Sequence, residues 1–125
     1  MDIRGIVVVG TYTDRHAETV RFFREVLGLR ADHDEPGFTN FRLPDTGKIE
    51  VLGPEHGHEH GHARFTTAPV PGLLVPNIVA ARAELEAANV ELLGPLLGDP
   101  AVNAWQHFRA PDGNVYSLTF GQYRR

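Results

Sequence analysis

FRLPDTG, residues 41–47, and FRAPDG, residues 108–113, are nearly the same phrase written twice. Each runs Phe-Arg-x-Pro-Asp into a glycine and then into a short β-rich run. The first run is Ile49-Glu50-Val51-Leu52, and the second is Val115-Tyr116-Ser117-Leu118. Pro-Asp-Gly is turn chemistry, because proline presets φ and glycine accepts a positive φ. Each copy therefore predicts a hairpin.

What stands before the two hairpins also matches. Residues 15–27, RHAETVRFFREVL, predict a helix that Thr13 or Asp14 can cap and Gly28 ends. Val20, Phe23 and Leu27 form its apolar stripe, widened by Phe22 and Val26. Residues 78–88, IVAARAELEAA, predict a second helix between Asn77 and Asn89, with Ile78, Ala81, Leu85 and Ala88 as its stripe. A strand precedes each helix, Ile3 to Thr11 and Val70 to Val75. The chain thus reads as one domain, 1–125, built of two strand–helix–strand–strand–strand modules, about 1–53 and 70–120. A linker of about 54–69 joins them and contains EHGHEHGH, residues 55–62.

Bulk properties narrow the function classes. The 125 residues suit one domain, and 42% hydrophobic with 22% charged residues is ordinary for a soluble globular protein. A net charge of −4 offers no basic patch for phosphates, so nucleic acid is not an expected partner. No apolar run approaches the roughly 20 residues that cross a bilayer, and the N-terminus lacks the pattern of a signal peptide. Zero cysteines remove disulfides, thiolate metal sites and a cysteine nucleophile. A cytoplasmic location is the default expectation.

Two βαβββ modules, with Phe22-Phe23-Arg24-Glu25-Val26-Leu27-Gly28-Leu29 ending the first helix and Pro111-Asp112-Gly113-Asn114 near the C-terminus, resemble the glyoxalase/bleomycin-resistance/extradiol-dioxygenase superfamily, the vicinal oxygen chelate proteins. The resemblance covers nearly the whole chain. It implies an α+β fold in which the tandem modules bend a mixed sheet around a central pocket, with the helices on the convex face. Period-2 alternation then sorts the side chains. Phe41, Leu43, Ile49 and Val51 suit the helix side, as do Phe108, Tyr116 and Leu118. Phe38, Asn40, Arg42, Glu50, Trp105, His107, Arg109, Val115 and Ser117 suit the cup. The first strand would add Val7, Val9 and Thr11, although its face is ambiguous.

The resemblance also implies where a metal would sit: one ligand on the first strand and one on the last strand of each module, commonly His and Glu. Carried over residue by residue, the first position falls within Val7 to Val9 and the second on Glu50. The third falls near Val70 and the fourth on Ser117, or on Tyr116 if the register slips by one. Only Glu50 is a ligand type, whereas a divalent cation needs two or three protein ligands or more. The family's metal centre is therefore expected to be missing, and no cofactor is expected. A divalent metal on Glu50 is the alternative.

EHGHEHGH puts His56, His58, His60 and His62 at alternate positions, four of the chain's seven histidines. Imidazoles at that spacing suit Zn, Ni or Cu. Glycine-separated ligands lack a scaffold, and ordering them costs roughly 1–2 kcal/mol per residue. A solvated linker with adventitious metal affinity is the first reading; a metal-binding or pH-sensing loop is the second.

Among the remaining groups, His107 and Glu50 are the acid–base candidates. Phe38, Asn40, Trp105 and Ser117 are candidate ligand contacts, Trp105 by stacking. Arg42 and Arg109 occupy equivalent positions and would clamp an anion if both point inward. His16 and His33 are expected to be solvated. Two functions compete. One is metal-independent binding of a small, aromatic or amphipathic molecule. The other is lyase, isomerase or dioxygenase-type catalysis at Glu50 and His107, or at an atypical metal site. A homodimer is expected, because half-cup modules expose sheet edges.

Overall fold

The two phrases fold as two copies of one turn. In the first, Leu43 N–H donates to Gly47 O at 2.8 Å and Thr46 N–H to Leu43 O at 2.8 Å. In the second, Ala110 N–H donates to Asn114 O at 2.9 Å and Gly113 N–H to Ala110 O at 2.9 Å. The aspartate after the proline seals each turn: Asp45 Oδ1 accepts from Gly47 N–H, and Asp112 Oδ1 from Asn114 N–H. The computed structural model describes residues 1–56 and 68–123. His58, His60 and His62 lie outside the described residues, as does the side chain of His56. Pro54–His56 is a short 3₁₀ turn.

Module one comprises β1 (Ile6–Tyr12), α1 (His16–Arg21), β2 (Arg30–Glu35), β3 (Phe38–Arg42) and β4 (Lys48–Leu52). Module two comprises β5 (Val70–Leu74), α2 (Ile78–Ala87), β6 (Glu91–Asp99), β7 (Asn103–Arg109) and β8 (Val115–Phe120). All eight strands join one mixed sheet in the order β2-β3-β4-β1-β5-β8-β7-β6. In each module the first strand pairs parallel with the last, β1 with β4 and β5 with β8. The modules meet within the chain, through the antiparallel β1–β5 pair at the centre of the sheet.

The helix-side residues pack as period 2 requires. Val20, Phe41 and Val51 form one core cluster, with Phe23, Leu29 and Ile49 packed against it. Val75, Ile78, Ala81, Ala104 and Leu118 form the other, with Leu85 and Phe108 beside it. Gln106 is the buried polar exception. Its Nε2 donates to Gly94 O and His107 O, each at 3.0 Å, and its Oε1 accepts from Arg82 Nε on α2 at 2.8 Å. Gln106 thereby ties α2 to β7 and to the irregular middle of β6.

The first helix departs from expectation. After Arg21 it widens into a π-helical run, Phe22–Val26, closed by Leu27 N–H to Phe22 O at 3.2 Å. The extra residue per turn rotates the stripe, so Phe22, Val26 and Leu27 lie exposed while Val20 stays buried. Neither Thr13 nor Asp14 caps the helix: Arg15 is the N-cap, and Thr13 Oγ1 accepts from Arg15 N–H at 3.0 Å. Gly28 ends the run at φ +71. On α2 the expected cap is present, with Asn77 Oδ1 accepting from Ala80 N–H at 3.0 Å.

Candidate functional site

The concave face of the sheet holds a cavity of about 310 Å³. Strand register places its walls. From β3 and β4 come Phe38, Asn40, Lys48 and Glu50; from β7 and β8 come Asn103, Trp105, His107, Ser117 and Thr119. Asn40 faces Glu50 across β3–β4, and His107 faces Ser117 across β7–β8. The floor between them is made by Val8 and Gly10 of β1 and by Val70 and Gly72 of β5. The floor stays open at Gly72, where a Cβ would meet Thr119 Oγ1 at 2.8 Å and Val8 Cβ at 3.2 Å.

Six of the proposed residues therefore come together: Phe38, Asn40, Glu50, Trp105, His107 and Ser117. The β1 expectation is corrected. Val8 and Gly10 face the cavity, because they pair with Lys48 and Glu50 respectively, and so Val7, Val9 and Thr11 do not. Val115 does not line the cavity either; it packs with Val70 and Leu93. Arg42 and Arg109 form no clamp, since neither lines the cavity. Arg42 is bound to Asp32 on the neighbouring edge strand, Nε to Oδ2 at 2.9 Å. Arg109 is bound to its own turn, Nη1 to Gly113 O at 3.0 Å, with Glu91 at 3.5 Å. His16 is half-buried rather than solvated, its Nε2 lying 3.1 Å from Thr39 Oγ1. His33 is exposed, 3.1 Å from Glu35.

Four wall residues escaped sequence reasoning. Lys48, Asn103 and Thr119 lie two positions from Glu50, Trp105 and Ser117, so strict alternation would have found them. Tyr123 follows the last strand, and no local pattern marks it.

The electrostatics centre on β4. Glu50 opens on the cavity but is otherwise walled by protein, and this burial pushes its carboxyl above its ordinary range, with Lys48 opposing. Tyr123 is pushed up to about 12, first by burial and then by the charge of Glu50, with Arg42 opposing. The Lys48 ammonium lies 5.8 Å from the centroid of the Tyr123 ring. Asn40 is buried, and its Oδ1 has no hydrogen-bond partner among the described residues.

Among the positions at which the resemblance would place metal ligands, Val8, Glu50, Val70 and Ser117 line the cavity. One carboxylate, one hydroxyl and two isopropyl groups do not form a donor set for a divalent cation. Ser117 Oγ is also turned to the backbone, donating to Leu118 O at 2.9 Å. Among the described residues no three His, Asp or Glu side chains gather as a metal-binding group.

A sequence model of the Glyoxalase/Bleomycin resistance protein/Dioxygenase superfamily matches residues 5–118, and the chain belongs to that superfamily. No curated protein matches it. Solved structures do. A hypothetical protein from Bacillus halodurans C-125 has 14% identity and a TM-score of 0.72, with 97% of this chain and 96% of that chain covered. A superfamily member from Vibrio splendidus 12B01 has 18% identity and a TM-score of 0.66, with 95% and 99% covered. Methylmalonyl-CoA epimerase from Mycobacterium tuberculosis has 17% identity and a TM-score of 0.72, with 96% and 89% covered. At these identities the likeness is one of fold. No helix among the described residues is long and apolar enough to cross a membrane.

Proposed function

We propose that this chain is a metal-independent binding protein of its superfamily, whose cup encloses a small molecule with an apolar or aromatic body. The observation that carries this reading is the replacement of ligand types by Val8, Val70 and Ser117 on the cavity wall. Divalent-metal chemistry needs at least three anchored donors in typical protein sites. The cup offers Trp105, Phe38 and aliphatic floor residues instead, the usual make-up of a small-molecule pocket.

A second reading has its own support. A carboxyl held above its ordinary range inside a cavity is suited to proton transfer, so Glu50 could act as an acid–base group in an isomerase or lyase, with His107 on the opposite wall. Pairing into a homodimer is carried as part of the proposal; the exposed Ile6, Val9, Phe22, Val26 and Leu27 are the apolar surface it would cover. A cytoplasmic site of action accompanies it as an expectation.

Elemental analysis of untagged protein purified without nickel resin tests the central reading. The expected result is substoichiometric metal, and ligand-induced thermal shifts that chelator leaves unchanged. Stoichiometric Zn, Ni, Fe or Mn that disappears in Glu50→Gln would refute it. Deuterium exchange into a bound molecule, abolished by Glu50→Gln, would select the enzymatic reading. Sedimentation velocity reports the oligomeric state.

A further inference from the structure

The geometry points to Tyr123 as a removable partition between the cup and a second cavity, so that the site takes an elongated guest: a compact body in the cup and an unbranched apolar arm beyond the tyrosine. This rests on the binding reading above and extends it to the shape of the ligand.

The second cavity, of about 600 Å³, is more open than the cup and is bounded by Leu74, Val75, Pro76, Phe120 and Gly121. Strand alternation makes it a continuation of the cup. On β5, Val70 and Gly72 line the cup, and Leu74, the next residue on that face, lines the second cavity. On β8, Ser117 and Thr119 line the cup, and Gly121, next in phase just past the strand, lines the second cavity. Thr119 and Leu74 are partners across the β5–β8 pair. The two hollows therefore lie one two-residue step apart on one face, about 7 Å. Among the described residues Tyr123 alone lines both.

The ring is seated without a tether to the sheet. It packs on Val7 and Val8 and on Leu74, so it bridges the cup floor and the wall of the second cavity. It also lies against the bare Cα of Gly121, where a Cβ would meet Tyr123 Cε2 at 3.1 Å and Asn103 Oδ1 at 3.0 Å. Apolar packing is non-directional, so another apolar group can take the ring's place. The backbone bond past β8, Tyr123 N–H to Gly121 O at 3.1 Å, lies within the segment itself and can pivot with it. The gap the ring would leave is one side chain wide, which suits an unbranched arm. Its walls are aliphatic and aromatic, and Arg4 beside them is already bound to Asp2, Nε to Oδ2 at 3.0 Å. The arm is therefore apolar rather than anionic.

Two probes that do not absorb where tryptophan does separate the two parts of the site: 4-methylcyclohexanol, which fits the cup alone, and 4-heptylcyclohexanol, which carries the arm. Trp105 is the chain's single tryptophan and lines the cup, so its fluorescence reports occupancy. The parent binds the long probe only while the ring is displaced, which lowers its apparent affinity. Tyr123→Ala is expected to tighten the long probe at least tenfold, the worth of about two buried methylenes, and to leave the short probe unchanged. Pro76→Glu, which puts a charge on the exposed wall of the second cavity, should cancel that gain in the double variant and leave the short probe unchanged. Tyr123→Phe keeps the ring and should bind both probes as the parent does. Circular dichroism confirms that each variant is folded. If Tyr123→Ala weakens both probes, or changes both alike, the tyrosine is a fixed wall and this inference is overturned, while the cup stands as a binding site. Failure of both probes to bind the parent and every variant overturns both readings.

Discussion

Thr46 and Gly113 occupy the same place in the two repeated turns, and both take a left-handed backbone, at φ 68 and φ 88. Each donates its N–H to the residue three before it, Leu43 and Ala110 respectively. Glycine adopts this conformation freely, whereas a β-branched residue is strained there. Thr46 also buries a hydroxyl that has no partner among the described residues.

Replacing Thr46 with Gly is therefore expected to stabilise the protein by about 0.5–1 kcal/mol, the strain of one left-handed L-residue less the added chain entropy of glycine. Urea unfolding monitored by circular dichroism measures it. Loss of stability would mean that the Thr46 side chain contributes packing that outweighs the strain.

Glu50 makes stability depend on pH in the direction opposite to an ion-paired carboxylate. Its carboxyl titrates higher in the folded than in the unfolded chain, so the folded state binds the extra proton. Stability then falls as pH rises from the ordinary carboxylate range, about 4, through the raised folded value. Glu50→Gln should melt higher than the parent at neutral pH, and the gap should close as pH falls toward 4. Melting curves across that range check it. A gap that widens on acidification would show the carboxylate to be stabilised in the fold.

Tyr123 should ionise well above the ordinary phenol range. A spectrophotometric titration is expected to show a step near pH 12 that Tyr123→Phe removes. The folded value is raised, so the phenol's contribution is intact below about 10 and is lost as pH rises through about 12. Tyr123→Phe should lack this alkaline decline in stability.

Gln106→Leu should destabilise the fold by about 2–3 kcal/mol, because it removes three hydrogen bonds made by a fully buried side chain that ties α2 to β7 and the middle of β6. Chemical denaturation measures the loss. A near-neutral result would mean that the middle of β6 shifts to satisfy its own carbonyl.

Much of the cup was legible because strands alternate. Phe38, Asn40 and Glu50 share a face, as do Trp105, His107 and Ser117, and the repeated turns fix their register. Where alternation was silent the reading failed. Ile6 to Val9 is uniformly apolar, so nothing local says which valine faces inward; the pairing of Val8 with Lys48 decides it. Arg42 and Arg109 have the right parity but stand beside the turns, where Asp32, Glu91 and Gly113 O capture them.

The amino-acid order alone established the duplicated βαβββ plan and the helix-side core, because each follows from local periodicity or from a repeated phrase. Tertiary structure decided what local pattern cannot encode. It joined the modules through β1 and β5 within one chain, turned the first helix through a π-helical run, and brought Tyr123 back over Lys48 and Glu50. Those outcomes depend on contacts between residues far apart in the chain, whose energies no single segment carries.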